Sequence, residues 1–235
     1  MTPIGVVFPR STADVAAVMT YGADRGVPVL PRGGGTSLAG QAVNEAVVLD
    51  FTRYMNDVLE VDPDARTARV QPGVLLGDLD ATVEPEGLHF GPDPAQANQS
   101  AIGGAIGNNS SGAHSLVYGT TDAYVESCEV VLADGTVTEL GEVSLENLRE
   151  RAAAGEPDDL EAALAAQVVR LVDEEADAIR DAYPDIGRNV SGYNLDRLVE
   201  EAETGSVNLA RLLAGSEGTL AIVTAATVSL EPLPA

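Results

Sequence analysis

The chain contains no lysine: all 13 of its cationic side chains are arginine, set against 37 carboxylates, for a net charge of −24 and a pI near 4.1. A charge of that size and sign argues against nucleic acid or an anionic membrane surface as partner. Without lysine there is also no Walker A phosphate loop, which ends in Gly-Lys-Ser/Thr. Cys128 is the only cysteine, so no internal disulfide and no cysteine-based metal cluster can form. It lies within the strand-like run 125–132 and reads as an inert core residue. The two histidines, His89 and His114, stand apart from one another, and no His/Cys/Asp cluster has metal-ligand spacing, so no metal site is expected. No apolar run reaches 18 residues and no signal peptide opens the chain, which reads as cytoplasmic and not transmembrane.

The acidity is not that of a disordered tail, because 45% of residues are hydrophobic and fall in periodic runs. At 1 M salt the Debye length shrinks to about 3 Å, so crowded surface carboxylates cease to repel strongly. Missing lysine, few aromatics and abundant Ala, Gly, Val, Asp and Glu together read as the surface of a protein from a salt-loaded cytoplasm. The charge thus speaks of where the protein lives rather than what it does.

The chemistry concentrates in glycine. Pro31-Arg32-Gly33-Gly34-Gly35-Thr36-Ser37-Leu38-Ala39-Gly40 follows the apolar run Val27–Leu30, as a loop leaving a strand. Such a loop can turn several N–H groups into one concavity, with the Thr36 and Ser37 hydroxyls as further donors, which makes a nest for phosphate or pyrophosphate. A plain glycine turn is the alternative. A side chain placed on Gly34 or Gly35 is expected to take the space of the pyrophosphate. A Rossmann fingerprint beginning at Gly33 is excluded, since it requires glycine at position 38, where Leu38 stands.

Residues 4–50 read as β-α-β-loop-β, with a capping box at Ser11-Thr12-Ala13-Asp14, and form a small parallel sheet. Hairpins are expected at 58–70 and at 125–140, an amphipathic helix through Val74, Leu79 and Val83, and a last strand over 221–230. In the acidic stretch 141–186, Leu160, Leu164, Val168, Leu171, Val172 and Ile179 keep helical spacing, which predicts one long outer helix inserted into the fold.

A second glycine cluster runs from Gly91-Pro92-Asp93-Pro94 through Ser100-Ala101-Ile102-Gly103-Gly104-Ala105-Ile106-Gly107-Asn108-Asn109-Ser110-Ser111-Gly112, with Ser100 placed as the N-cap of a helix. Taken alone, its glycines fit close helix packing as well as a ligand-facing helix start. Tyr118-Gly119-Thr120-Thr121-Asp122, Asn189-Val190-Ser191-Gly192-Tyr193-Asn194-Leu195 and Gly215-Ser216-Glu217-Gly218-Thr219-Leu220-Ala221-Ile222-Val223-Thr224 follow in order. In that order the chain resembles the FAD-binding domain of vanillyl-alcohol-oxidase-type flavoproteins, over nearly its whole length. It is most similar to the FAD-linked D-lactate, glycolate and D-2-hydroxyglutarate dehydrogenases, in a haloarchaeal form.

The resemblance implies an α+β fold of two α/β subdomains with FAD between them. Residues 1–72 form the first, with a small parallel sheet, and 73–235 the second, with a larger mixed or antiparallel sheet and the helical insertion. Gly33, Gly34, Gly35, Thr36 and Ser37 would cradle the pyrophosphate, with Arg32 at its edge. Pro92, Ala101, Ile102, Gly103, Gly104, Asn109, Ser110 and Gly112 would pack along the other side of the cofactor. Glu217, Gly218 and Ile222 would approach either the flavin or the adenine end, Glu217 serving the cofactor or a structural hydrogen bond. Some relatives attach FAD through a histidine in the first glycine loop; Thr36 stands in that loop here, Cys128 matches no second attachment point, and non-covalent FAD is expected.

The implied reaction is oxidation of a D-2-hydroxy acid, with FAD accepting hydride and the electrons passing to a quinone, cytochrome or iron–sulfur partner. It needs a base and cations for the substrate carboxylate, which the family usually keeps in a cap domain and C-terminal segment. These are not found here, so the chain reads as the FAD module of a larger dehydrogenase, with its catalytic residues unassigned and the module inactive alone. A place at the inner face of the membrane suits such electron acceptors. A flavin-binding electron-transfer subunit without a substrate site is the alternative. A reductase of the cell-wall amino-sugar pathway shares the fold, but the motifs at Tyr193 and Gly215 argue against it.

Overall fold

A computed structural model describes residues 1–94, 96–156, 159–184, 186 and 189–234. The fold is α+β. Its first lobe is a parallel three-stranded sheet in the order β1 (Gly5–Val7), β3 (Val47–Asp50), β2 (Val29–Arg32), with α1 (Thr12–Arg25) joining β1 to β2. Ser11 caps α1 by accepting the Asp14 N–H at 3.3 Å, while the Asp14 carboxylate takes the Arg10 N–H at 2.8 Å, one residue earlier than a capping box would place it. The helix stops at Gly26, whose φ of 62° lets its N–H reach back to the Ala23 and Gly22 carbonyls. Val15 on α1 is fully buried with Leu49, Phe51 and Met55, and this cluster continues into Val131 and Ile222 of the second lobe, so the lobes share a core. Each such side chain contributes about 1.5–3 kcal/mol by leaving water.

The second lobe is built on an antiparallel five-stranded sheet in the order β4 (Val58–Asp62), β5 (Thr67–Val70), β11 (Ile222–Ser229), β7 (Val125–Val131), β8 (Val137–Leu140). The hairpin β4–β5 therefore belongs to this sheet, whereas the sequence places it in a first subdomain ending at residue 72. Pairing of β5 with β11 draws it across, and the change of sheet falls between Asp50 and Val58. Against one face pack α2 (Leu76–Val83) and α3 (Ile102–Gly107), whose Leu76, Leu79, Ile102 and Ile106 enter the main core with Val70, Phe90 and Val130. A short pair of β6 (Leu88–His89) and β12 (Glu231–Pro232), and the single-turn α4 (Ser115–Tyr118), complete this side.

The expected single outer helix is instead a small subassembly. It comprises β9 (Glu142–Ser144), α5 (Leu145–Ala154), α6 (Leu160–Glu174), α7 (Ala176–Ala182), α8 (Leu195–Ala202) and β10 (Ser206–Asn208), with β9 and β10 paired. α5 ends at Gly155, where a Cβ would fall on the Ala162 side chain, and Asp159 caps α6 through the Ala162 N–H at 3.0 Å. At Glu175 the backbone (φ −111°) leaves the helical range and separates α6 from α7. Residues 157, 158 and 185 of the expected insertion lie outside the described residues. Leu145, Leu148, Ala165, Val168, Leu198 and Val207 give the subassembly its own core, but Leu164, counted among the apolar positions, is 41% exposed.

Cys128 is fully buried on β7, and burial, with Glu139 nearby, pushes its thiol up to about 12. Alkylation requires the thiolate. In concentrated salt at pH 8, iodoacetamide should leave Cys128 unmodified by mass spectrometry, and unfolding should expose it to full labelling. Labelling of the folded chain at a free-thiol rate would place Cys128 outside the core.

Candidate cofactor-binding site

The loop leaving β2 meets α3 and the turn before β11 around a cleft enclosing about 120 Å³. The structure brings together in its lining Arg32, Gly33, Gly34, Gly35, Thr36 and Ser37 from the first glycine loop. Ala101, Gly103, Gly104 and Ser110 come from the second cluster, and Glu217 and Gly218 from the last turn. The strand β2 ends at Arg32, so the glycines begin where the sheet stops constraining the backbone.

Packing between the two glycine clusters requires their missing side chains. A Cβ on Gly34 would fall on the Gln99 carbonyl oxygen, so this glycine serves the approach of one loop to the other and not, as its sequence context suggests, the space of the pyrophosphate. Gly35 has φ +68°, and a Cβ there would sit 2.5 Å from the Arg32 guanidinium. Gly104 is different: a Cβ on it would meet nothing within 4 Å, so its bare face borders open cleft. Among the described residues no protein acceptor takes the N–H groups of Gly33, Gly34, Gly35, Thr36 or Ser37. Arg32 donates from Nη1 to the Ala42 carbonyl at 3.3 Å and has no carboxylate partner among the described residues. Unpaired donors and one unpaired cation around a small enclosed volume suit a diphosphate. A whole dinucleotide would extend beyond the enclosed part.

Five expected residues stand behind the cleft rather than on it. Ile102 and Ile222 are fully or almost fully buried in the two cores, turned inward by the helical and strand periodicities of α3 and β11. Asn109, 1% exposed at φ +48°, accepts the Asp122 N–H on its Oδ1 at 2.9 Å. Asp122 in turn faces Arg197 of α8 at 2.9 Å, which ties the second cluster to the helical subassembly. The Gly112 N–H donates to the Pro92 carbonyl at 2.9 Å, and a Cβ on Gly112 would fall on the Asp93 carbonyl oxygen, so Pro92 and Gly112 interleave two loops. These residues hold the walls in place.

Ser100 is not the cap of α3. Ala101 holds that position without a side-chain bond, and the Ser100 hydroxyl meets the Thr36 hydroxyl at 3.2 Å across the cleft. The last turn docks on the end of α3 through Gly215 N–H to the Ile106 carbonyl at 3.0 Å and Glu217 N–H to the Gly107 carbonyl at 2.9 Å. Glu217 has φ +52° and its carboxylate accepts a hydrogen bond from Gln41 Nε2 at 3.0 Å, a bond to the first loop rather than to its own turn. Gln41 and Asn108, which also line the cleft, carry no recognisable spacing in the sequence.

Both histidines line a second cavity, of about 570 Å³, with Asp80, Glu84, Asp93 and Tyr118. His114 Nδ1 lies 2.9 Å from Asp93 Oδ2, and the Tyr118 ring stands edge-on to both imidazoles. Burial raises the Asp80 carboxyl, against the pull of the Phe90 N–H it accepts. No group of three His, Cys, Asp or Glu side chains among the described residues is placed to hold a metal ion. Neither histidine is in the glycine cleft.

Residues 3–141 match the FAD binding domain family. The chain belongs to that family. The FAD-binding domain is 35% identical to a D-2-hydroxyglutarate dehydrogenase of Pantoea ananatis, over all of this chain and 23% of the relative. It is 33% identical to the glycolate oxidase subunit GlcD of Bacillus subtilis, over 99% of this chain and 38% of the relative. With a D-lactate dehydrogenase of Archaeoglobus fulgidus the identity is 34%, over 97% and 38%. The chain thus spans between about a quarter and two fifths of these relatives' lengths. A solved alkyldihydroxyacetonephosphate synthase shares the fold with a TM-score of 0.63 over 97% of this chain and 34% of its own, at 23% identity. The vanillyl-alcohol-oxidase-type fold and FAD as the cofactor, expected from the glycine motifs, both hold.

The cleft fits this cofactor at its diphosphate: free N–H donors, Arg32 and the bare face of Gly104 are what such a group requires. When bound, FAD supplies a flavin ring able to take up two electrons and a proton.

Proposed function

We propose that this FAD-binding domain is the cofactor module of a dehydrogenase that oxidises a D-2-hydroxy acid of the lactate, glycolate or 2-hydroxyglutarate type. The observation that carries the reading is the glycine-walled cleft, with N–H groups that take no protein acceptor and an Arg32 that has no carboxylate partner among the described residues, in a chain whose relatives bear those three names. Gly33 to Ser37 and Arg32 hold the pyrophosphate without a covalent bond, and Ala101, Gly103, Gly104 and Ser110 bound the cofactor on its other side. Pro92, Ile102, Asn109, Gly112 and Ile222 support those contacts from behind, and Glu217 and Gly218 close the last turn over the cleft.

Among the described residues Arg32 is the one cation in the cleft lining, and the pyrophosphate takes it. A carboxylate clamp and a base for the hydroxyl proton are supplied by a separate cap domain, and the electrons pass to a quinone, cytochrome or iron–sulfur partner. No helix among the described residues is long and apolar enough to cross a membrane. We place the protein in a salt-rich cytoplasm, at the inner face of the membrane where such acceptors lie.

The purified chain should take up FAD in concentrated salt and release all of it on acid denaturation. Anaerobic mixing of the FAD-loaded chain with D-lactate, glycolate or D-2-hydroxyglutarate should leave the flavin absorbance unbleached, because among the described lining residues Arg32 is taken by the pyrophosphate and the Glu217 carboxylate is engaged by Gln41. Flavin retained after denaturation would overturn the non-covalent reading. Bleaching at an enzyme-like rate would overturn the division of labour.

A further inference from the structure

We propose that Gln41 is the clasp of the cofactor cleft: its side-chain amide ties the first glycine loop to the far wall and sets how fast FAD exchanges. The inference rests on the cofactor reading above.

The two lobes meet around the cleft in two physically different ways. In one, backbone lies on backbone. Gly34 is pressed on the Gln99 carbonyl, a Cβ on Gly33 would stand 2.8 Å from Ala101 Cβ, and one on Gly218 would stand 2.6 Å from Pro31 Cγ. That seam cannot part without disturbing the buried residues behind it, Ile102 and Ile222 among them. In the other, side chains make the connection: the Thr36 hydroxyl meets the Ser100 hydroxyl at 3.2 Å, and among the described residues Gln41 alone reaches the last turn. Gln41 Nε2 donates to Glu217 Oε1 at 3.0 Å and to Asn108 Oδ1 at 3.4 Å, while Gln41 Oε1 accepts from the Ser37 hydroxyl. A carboxylate only accepts, so the amide NH2 must face Glu217, and the Ser37 hydroxyl must then be the donor to Oε1. Ser37 belongs to the same loop and orients the amide; Asn108 and Glu217 belong to the far wall, 67 and 176 residues away in sequence.

All four residues line the cleft. Side-chain bonds of this kind break and reform without unfolding, so the clasp is the part of the wall that opens for cofactor entry and release. It also occupies Glu217, the one carboxylate in the lining among the described residues, whose charge would otherwise face the phosphates. Bonds to an ionised acceptor are the strong ones, and their loss should change a rate by about tenfold.

The test measures FAD release from the full chain in concentrated salt, by recovery of flavin fluorescence after a chase. Gln41→Leu should release FAD about tenfold faster than the wild type, with the melting temperature of the apoprotein unchanged. Glu217→Leu should do the same, and the double variant should be no faster than either single one. Glu217→Gln keeps an acceptor for the amide and should stay near the wild-type rate. FAD bound by Gln41→Leu and released at the wild-type rate would sink the clasp while leaving the cofactor cleft standing. A wild-type chain that takes up no FAD would remove the cleft reading and the clasp together.

Discussion

Transferred from multimolar salt to ~10 mM buffer, the chain should lose its cooperative fold. Its 37 carboxylates face 13 arginines, and among the described residues seven of the arginines are already held in ion pairs with acidic partners. Most of those pairs are half-exposed and each is worth little against the summed repulsion. At 1 M salt the repulsion reaches only about 3 Å; at 0.01 M it reaches about 30 Å, across the whole surface. Circular dichroism through a salt titration should show one transition, coincident with the onset of Cys128 labelling. A cooperative fold retained in dilute buffer would show that the acidity is not a salt adaptation.

Gly104→Leu should abolish FAD binding, raising Kd at least about a hundredfold, while the apoprotein melts no lower than the wild type. The position lies inside α3 with an ordinary helical backbone, and its missing side chain looks onto open cleft. A Cβ there meets nothing within 4 Å, and leucine gains the helix propensity that glycine lacks, about 0.5–1 kcal/mol. Its side chain stands where the cofactor must lie. Gly34→Val should fail differently, since its Cβ would fall on the Gln99 carbonyl and push apart the seam between the lobes. Comparing FAD titration with thermal melting separates the two: binding lost alone for Gly104→Leu, binding and stability lost together for Gly34→Val. Wild-type affinity in Gly104→Leu would show that the cofactor does not run along α3.

The glycine clusters were legible because their residue type is their function: close approach leaves no room for any other side chain, and the spacing survives in the sequence. Periodicity was enough for α1, α2 and the strands, where one face is buried. It failed over 160–182, because local spacing cannot register the kink at Glu175 or the packing of α5 on α6 that requires Gly155. It failed again at β4–β5, since a hairpin does not announce which sheet will take its edge. Adjacency misled at Ile102, Asn109 and Ile222, which neighbour cleft residues in sequence but turn to the core. Gln41 was invisible for the opposite reason. Its partners are remote in sequence, and an amide in a loop has no pattern of its own.

The order of the five-stranded sheet bears on how the chain is made. β11, residues 222–229, lies between β5 and β7, joining two hairpins completed about 150 and 80 residues earlier. As the ribosome delivers the chain, β4–β5 and β7–β8 each wait with the edge that β11 will cover still bare. The shared core waits too, because Ile222 is part of it. Completion of the five-stranded sheet and of the shared core is therefore withheld until residues 222–229 have emerged, and a nascent chain halted before residue 222 should be held by chaperones or aggregate through those edges.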